Sequence, residues 1–287
     1  MSTSYENEVI VISGASTGLG AATARLLAEQ GFHVLAGVRR EQDAERLRRP
    51  GLEPILLDVT EPSQIAQLVE RMNTLGKPLR AVINNAGFAA NAPVETMPLE
   101  TWRKVFDVNV FGLIALTQAL LPSLHRSKGR VVNISSVGGR VALPAFGAYS
   151  GSKFAVEGIS DALRQELAPH GVQVVVVEPG GMRTDMAVRG EEMAHSLLER
   201  MTPEQRSRYN DTMQTFLSYT ASMEQAGVSS EQAAKTVLRA VTAERSRPRY
   251  TIGRDAAVMS RLIRFLPDRL LDRMIASTLR RSSKAER

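Results

Sequence analysis

Short apolar runs recur along the chain at Val9 to Ile12, Phe32 to Val38, Pro54 to Leu57, Ala81 to Asn84, Arg130 to Ser135 and Val172 to Val177. Between them lie longer stretches whose apolar residues return every three or four positions, such as Ala21 to Gln30, Ile65 to Leu75, Leu99 to Leu124 and Tyr149 to His170. A short run with little polar alternation reads as a strand covered on both faces, and the 3.6-residue period reads as a helix that does the covering. Strands and helices in alternation predict a parallel sheet with helices on both sides, a doubly wound α/β fold. Ligands of such folds bind beyond the carboxyl ends of the strands. No internal repeat or low-complexity linker interrupts the pattern, so one domain over residues 1–287 is the economical reading.

The residues that follow the strands therefore carry the interest. The first run leads into Ser13-Gly14-Ala15-Ser16-Thr17-Gly18-Leu19-Gly20 and then a helical stretch. A strand, a glycine-rich turn and a helix in that order put backbone N–H groups and a helix N-terminus where a pyrophosphate would sit. Gly14 permits a tight turn, Gly18 lets the backbone approach phosphates, and Gly20 allows helix and strand to pack closely. Ser16 and Thr17 add hydroxyl donors, although the spacing is G-x-x-x-G-x-G and not the commoner G-x-G-x-x-G. Later strand ends carry Asp58-Val59, Asn84-Asn85-Ala86-Gly87, Ser135-Ser136 and Glu178-Pro179-Gly180-Gly181-Met182-Arg183-Thr184. In Ala148-Tyr149-Ser150-Gly151-Ser152-Lys153 a tyrosine and a lysine stand four residues apart, on one face of a helix, with Ser136 upstream. Alone, that pair is an ordinary surface-helix pattern; beside the other strand ends it reads as a proton-transfer site.

Composition narrows the possibilities. With no cysteine, a disulfide framework and a thiolate metal site are both ruled out, and the four histidines are scattered. The formal charge of +6 suggests nucleic acid, but residues 245–287 hold twelve Lys or Arg against four acids, so the remainder is slightly acidic. A near-neutral body with a basic end segment is not a nucleic-acid groove. The polar, acidic opening lacks the pattern of a secretory signal, and no uninterrupted apolar stretch approaches a membrane span, so a cytoplasmic location is expected.

Taken together, Gly14-x-x-x-Gly18-x-Gly20, Asn84-Asn85-Ala86-Gly87, Asn109, Ser136, Tyr149-x-x-x-Lys153 and Pro179-Gly180 resemble the short-chain dehydrogenase/reductase superfamily over about residues 8–255. Ser13 stands where that family usually has threonine, and Gly151 where it usually has alanine. The resemblance implies a Rossmann fold and a catalytic set of Asn109, Ser136, Tyr149 and Lys153. Tyr149 would exchange a proton with the substrate oxygen, Ser136 would donate to that oxygen, and Lys153 would favour the ionised phenol and bond the nicotinamide ribose. Asn109 would hold a water that links Lys153 to solvent, although a mid-helix Asn can also be a packing group. For the cofactor, the resemblance implies the Gly14 to Gly20 turn, including Leu19, with Asp58 and Val59 at the adenine and Asn85, Ala86 and Gly87 at its ribose. Pro179, Gly180, Met182 and Thr184 would hold the nicotinamide end. At the end of the second strand Val38-Arg39 replaces the acidic residue that would bind a 2′-hydroxyl, which favours NADP(H) over NAD(H).

Two segments fall outside this set. Residues of about 182–227 take the place of the family's substrate lid and carry Met186, Met193, Met201, Met213, Phe216 and Met223, which suit either a core or a greasy pocket. The extension of about 255–287 places Leu270, Leu271, Met274, Ile275 and Leu279 on one helical face and Arg269, Arg273 and Arg280 away from it. With Arg249-Tyr250-x-x-Gly253-x-Asp255 it resembles the 17β-hydroxysteroid and retinol dehydrogenase-like branch. This helix could pack on its own fold, cover a partner or rest on a membrane surface, in that order of preference. It is expected to serve lipophilic substrates while leaving cofactor binding untouched. The expected protein is an NADP(H)-dependent oxidoreductase of lipophilic secondary alcohols and ketones, a homodimer or homotetramer. A 3-oxoacyl-thioester reductase and a catalytically silent NADP-sensing scaffold are the alternatives.

Overall fold

The computed structural model describes residues 5–263 and 265–285. The first half alternates strand and helix: β1 (Val9–Ile12), α1 (Gly18–Glu29), β2 (His33–Val38), α2 (Glu41–Leu47), β3 (Leu52–Leu56), α3 (Pro62–Leu75) and β4 (Leu79–Asn84). Then come α4 (Leu99–Phe106), a π-helical turn (Asp107–Phe111) and α5 (Gly112–Ser127), which run on as one rod, followed by β5 (Arg130–Ile134). A 3₁₀ turn (Val137–Gly139), α6 (Gly147–Leu167) and β6 (Gln173–Pro179) follow. The remainder comprises α7 (Asp185–Glu199), α8 (Pro203–Gln225), α9 (Ser230–Thr242), β7 (Arg249–Ile252), α10 (Arg254–Leu262) and α11 (Asp268–Ala285).

All the strands pair in parallel, in the order β3-β2-β1-β4-β5-β6-β7. Successive strand residues face opposite sides, so Ile10 and Ile12 meet Ala24 and Leu27 of α1 and Val237 of α9. Val9 and Val11 face the other side, against Leu68 of α3 and Leu116 and Leu120 of α5. This two-sided cover is why the strands read as unbroken apolar runs, and each such side chain contributes roughly 1.5 to 3 kcal/mol on burial. The chain winds outward from β1 in one direction and from β4 in the other, so a crevice opens between their carboxyl ends.

Three features depart from the sequence pattern. β7, Arg-Tyr-Thr-Ile, has no apolar run because it is the edge strand and only Ile252 is buried. The helix read as continuous from Leu99 to Leu124 is widened by the π turn around Asn109, a local change that a 3.6-residue period cannot register. The same rod, Leu99–Ser127, is long and apolar enough to cross a membrane by length and composition, yet Leu116, Leu120 and Leu124 are fully buried against the sheet.

Polar groups also stitch the layers together. Asn84 on β4 donates to Thr117 Oγ1 on α5 at 2.9 Å and to Asn133 Oδ1 on β5 at 2.8 Å. Asn133, wholly buried, donates in turn to Ser160 Oγ on α6 at 2.8 Å. A buried amide without partners costs more than it returns, so this ladder fixes where α5 and α6 sit above the strand ends.

Candidate active site

The glycine turn after β1 is held from the neighbouring strand. Gly14 has φ +66°, and a Cβ there would lie 2.8 Å from Ala86 Cα. At Gly20 a Cβ would come within 2.5 Å of Asn85 Nδ2, so helix and turn approach as closely as backbone allows. Asn85 donates through Nδ2 to the carbonyls of Ser13 and Gly14 at 3.1 and 2.9 Å, so its side chain is spent bracing the turn. Ser13 Oγ accepts from the N–H groups of Asn85 and Ala86 at 3.1 and 3.0 Å, a bracing role the sequence did not disclose. Leu19 is buried in the core beneath. The N-terminus of α1 is left open: Thr17, its N-cap, makes no capping bond. Across the crevice, Thr184 caps α7 in the same uncommitted way, and a Cβ on Gly18 would lie 3.5 Å from Thr184 Cβ. Two helix N-termini with free donors therefore face one space, which fits the pyrophosphate of a dinucleotide.

The other strand ends surround that space. Asp58 is partly exposed, its Oδ1 accepting from Thr60 N–H and Oγ1 at 3.0 and 2.7 Å. Val59 is buried against Gly112, where a Cβ would come within 2.5 Å of Val59 Cγ2. Gly87 lies beside Asn109 and beneath Met186, with a Cβ there 3.2 Å from Met186 Cε. At the end of β2, Arg39 is exposed, while Asp43 of α2 is buried and paired with Arg40 at 2.8 Å.

Ser136, Tyr149 and Lys153 converge beside this space. The 3₁₀ turn after β5 fixes Ser136, whose Oγ accepts from Gly138 N–H at 3.0 Å and lies 3.5 Å from Pro179 O. Tyr149 sits in the first turn of α6 against the Phe146 ring, with centroids 4.7 Å apart. Burial pushes its phenol above the usual tyrosine value, and a hydrogen bond from Ser136 opposes that rise. Lys153 Nζ donates to Ile134 O at 2.8 Å and stands 5.7 Å from the centre of the Tyr149 ring. Burial lowers its pKa from 10.5 to about 8, against the charge of Glu157, which raises it.

Asn109 is fully engaged: Oδ1 accepts from Phe88 N–H at 2.7 Å, and Nδ2 donates to Phe88 O and to Ser152 Oγ, each at 2.9 Å. Ser152 Oγ donates onward to Tyr149 O at 2.7 Å. The side chain thus anchors the start of α6, with both of its N–H donors taken by Phe88 O and Ser152 Oγ.

Behind Lys153 lies a charge cluster that the sequence did not reveal. Glu157, one turn along α6, meets Arg249 at 3.0 Å and Arg140 at 3.8 Å. Glu178, 2% exposed on β6, meets Arg249 at 3.3 Å and Arg140 at 3.8 Å and accepts from Ser260 Oγ at 3.2 Å. Burial and the charge of Glu157 hold the Glu178 carboxyl above its ordinary range. Two carboxylates matched by two guanidiniums are tolerable in the interior; any one alone is costly.

After Glu178 the turn Pro179 to Thr184 is suspended from two sides. Gly180 N–H donates to Ile252 O at 2.9 Å, and Val228 N–H donates to Gly181 O at 3.0 Å. Asp255 Oδ2 accepts from Gly181 N–H at 2.9 Å. Asp255 and Ser260, in the segment expected to leave cofactor binding untouched, thus reach the turn and Glu178 directly. The only sequence signal was Gly253-x-Asp255, which carried a resemblance but no role.

The lid divides between the two uses left open for it. Met201, Met213, Phe216 and Leu217 are buried in a cluster with Ala145 and Phe146, so they are core; Met193 packs on a second cluster with Val105 and Ala148, and the partly exposed Met186 lies over Gly87 at the crevice. The expectation that α11 packs on its own fold is met against α8, with Leu279 buried and Met274 and Ile275 partly so. Arg269 and Arg273 stay in water.

Comparison with known proteins agrees with this arrangement. The chain is 37% identical over 213 residues to human dehydrogenase/reductase SDR family member 9, covering 71% of this chain and 66% of that one. The chain thus spans a little under two thirds of that relative. It is 34% identical over 283 residues to mouse retinol dehydrogenase 7, covering 94% of this chain and 88% of the relative. A short chain dehydrogenase from Burkholderia cenocepacia, solved in complex with NADP, superposes with a TM-score of 0.73 at 27% identity, over 94% of this chain and 97% of that one. Residues 8–195 match the profile of the short chain dehydrogenase family, and with Ser136, Tyr149 and Lys153 gathered beside the glycine turn, the chain belongs to that family, in its retinol dehydrogenase-like branch.

Proposed function

We propose that the protein is an NADP(H)-dependent oxidoreductase that interconverts lipophilic secondary alcohols and ketones. The observation that carries this reading is the meeting of Ser136, Tyr149 and Lys153 beside two helix N-termini with unspent donors, under a lid whose inner side is apolar. A bound nicotinamide supplies or accepts the hydride. In the reducing direction, Tyr149, kept neutral by burial, gives its proton to the substrate oxygen. Ser136 donates a hydrogen bond to the same oxygen as charge develops there. The ammonium of Lys153 lowers the cost of the phenolate left on Tyr149 and joins in holding the ribose.

NADP(H) is favoured because Arg39 is exposed and free of ion pairs among the described residues, while Asp43, the nearby acid, is neutralised by Arg40. Met186 beside Gly87 at the crevice favours an apolar substrate, and the likeness to mouse retinol dehydrogenase 7 supports the same class. Phe111 on the π turn and Phe154 on α6 are 60% and 46% exposed, an apolar face that suits pairing of two copies into a homodimer. Val258 and Phe265, 55% and 85% exposed beside Arg254 and Arg261, suit contact with an acidic lipid surface. Light scattering and flotation with phosphatidylserine vesicles test these two assemblies.

The deciding experiment follows NADPH consumption by the purified protein with steroid ketones, retinal, 3-oxoacyl thioesters and small ketones. Turnover fastest on the bulky apolar carbonyls is expected. Preference for 3-oxoacyl thioesters would overturn the substrate class, and binding without turnover of any carbonyl would overturn the enzymatic reading.

A further inference from the structure

The start of the C-terminal extension is built into the cofactor site. β6 ends at Pro179, and the backbone that follows must present its groups to the nicotinamide end of a dinucleotide. Two glycines make room there for one carboxylate. A Cβ on Gly180 would lie 2.2 Å from Asp255 Oδ2, and one on Gly253 would lie 2.2 Å from Asp255 Oδ1. Gly253 has φ +95°, the left-handed region that turns the chain from β7 into α10 and delivers Asp255 beneath the turn. From there Oδ2 accepts the Gly181 N–H at 2.9 Å, and its charge lies in the first turn of α10, where the helix dipole favours an anion. The same carboxylate faces Tyr219 of the lid helix α8, whose phenol is pushed up by burial and, to a smaller extent, by this negative charge.

We propose that Asp255 is a positioning residue for the cofactor: by fixing Gly181 it holds the turn from Pro179 to Thr184 in the shape that receives the nicotinamide end. The inference rests on the NADP(H) reading of the site. Without Asp255 the turn keeps only its backbone bonds to Ile252 and Val228, the two adjacent glycines sample more backbone states, and binding must then select among them. Met182 and Thr184, placed just beyond, inherit that freedom. With the anchor the turn is preorganised before any ligand arrives.

The test uses the full-length protein and measures NADPH binding directly by fluorescence titration, with steady-state kinetics alongside. Asp255→Ala and Asp255→Ser remove the reach to Gly181 and are each expected to weaken NADPH binding about tenfold, the scale of a hydrogen bond to a charged acceptor. The KM for NADPH should rise in step while kcat changes less. Asp255→Asn keeps an acceptor oxygen at the same reach and should restore most of the affinity. If either short variant binds NADPH as the wild type does, or if Asn fails to rescue, the positioning role is overturned. A wild-type protein that binds neither NADPH nor NADH would instead overturn the cofactor reading itself, before any variant is compared.

Discussion

Lys153→Met tests the electrostatics of the site in a way that does not depend on turnover. In the cofactor-free protein Lys153 is 5% exposed, and burial holds its pKa at about 8 in place of 10.5. The unfolded chain binds this proton up to the ordinary value, while the folded chain releases it sooner. Between those two pH values the unfolded state holds the additional proton, so raising the pH stabilises the fold. Integrated from about pH 7 to about pH 10, a shift of this size is worth roughly 2 to 3 kcal/mol. Methionine has similar length and no charge, so the variant lacks this term. It also leaves Ile134 O without the donor that now sits at 2.8 Å, a cost that does not vary with pH. The informative quantity is therefore the change with pH of the stability gap between the two proteins, measured by urea unfolding without cofactor. Titrating groups remote from Lys153 are shared and cancel. The wild type should gain on the variant by roughly 2 to 3 kcal/mol over that range. A gap that stays constant would mean that Lys153 keeps an ordinary pKa, and the account of a buried, reluctant cation beside Tyr149 would fail.

Three other outcomes follow from the geometry. Tyr149→Phe keeps the ring against Phe146 but removes the proton, so turnover should fall by roughly 10² to 10⁴ while NADPH binding is little changed; more than about a tenth of wild-type activity would refute the role. Val38→Asp with Arg39→Ala puts an acid at the end of β2 and removes the exposed guanidinium, so the ratio of kcat/KM for NADPH over NADH should drop at least about tenfold; a wild-type preference for NADH would refute the assignment. Gly151→Ala adds a Cβ that would meet only the Phe106 ring, at 3.7 Å, inside α6, and should stabilise the fold by about 0.5 to 1 kcal/mol in urea titration; destabilisation would show that the helix cannot take the methyl group.

Periodicity alone determined the first six strands and the main helices between them, because strands buried on both faces must be apolar throughout and their cover must repeat with the helical turn. The glycine turn and the pair Tyr149 and Lys153 were legible for a related reason: both are local in sequence, and local backbone geometry forces the residue type or the spacing. β7 was not legible, since an edge strand need not be apolar and its place is set by pairing with β6. Asn109 shows the same limit from within a helix. The resemblance assigned it a water, and only the packing of the π turn beside the Phe88 loop discloses that its amide also braces backbone and Ser152. Glu157, Glu178, Arg140 and Arg249 come from four separate segments, and Asp255 lies far along the chain from the Gly181 N–H it accepts. Each is an ordinary charged residue in the sequence. Burial gives those charges their pairing, and Glu157 its effect on Lys153, and burial is a property of the assembled layers, so only the tertiary structure could decide it.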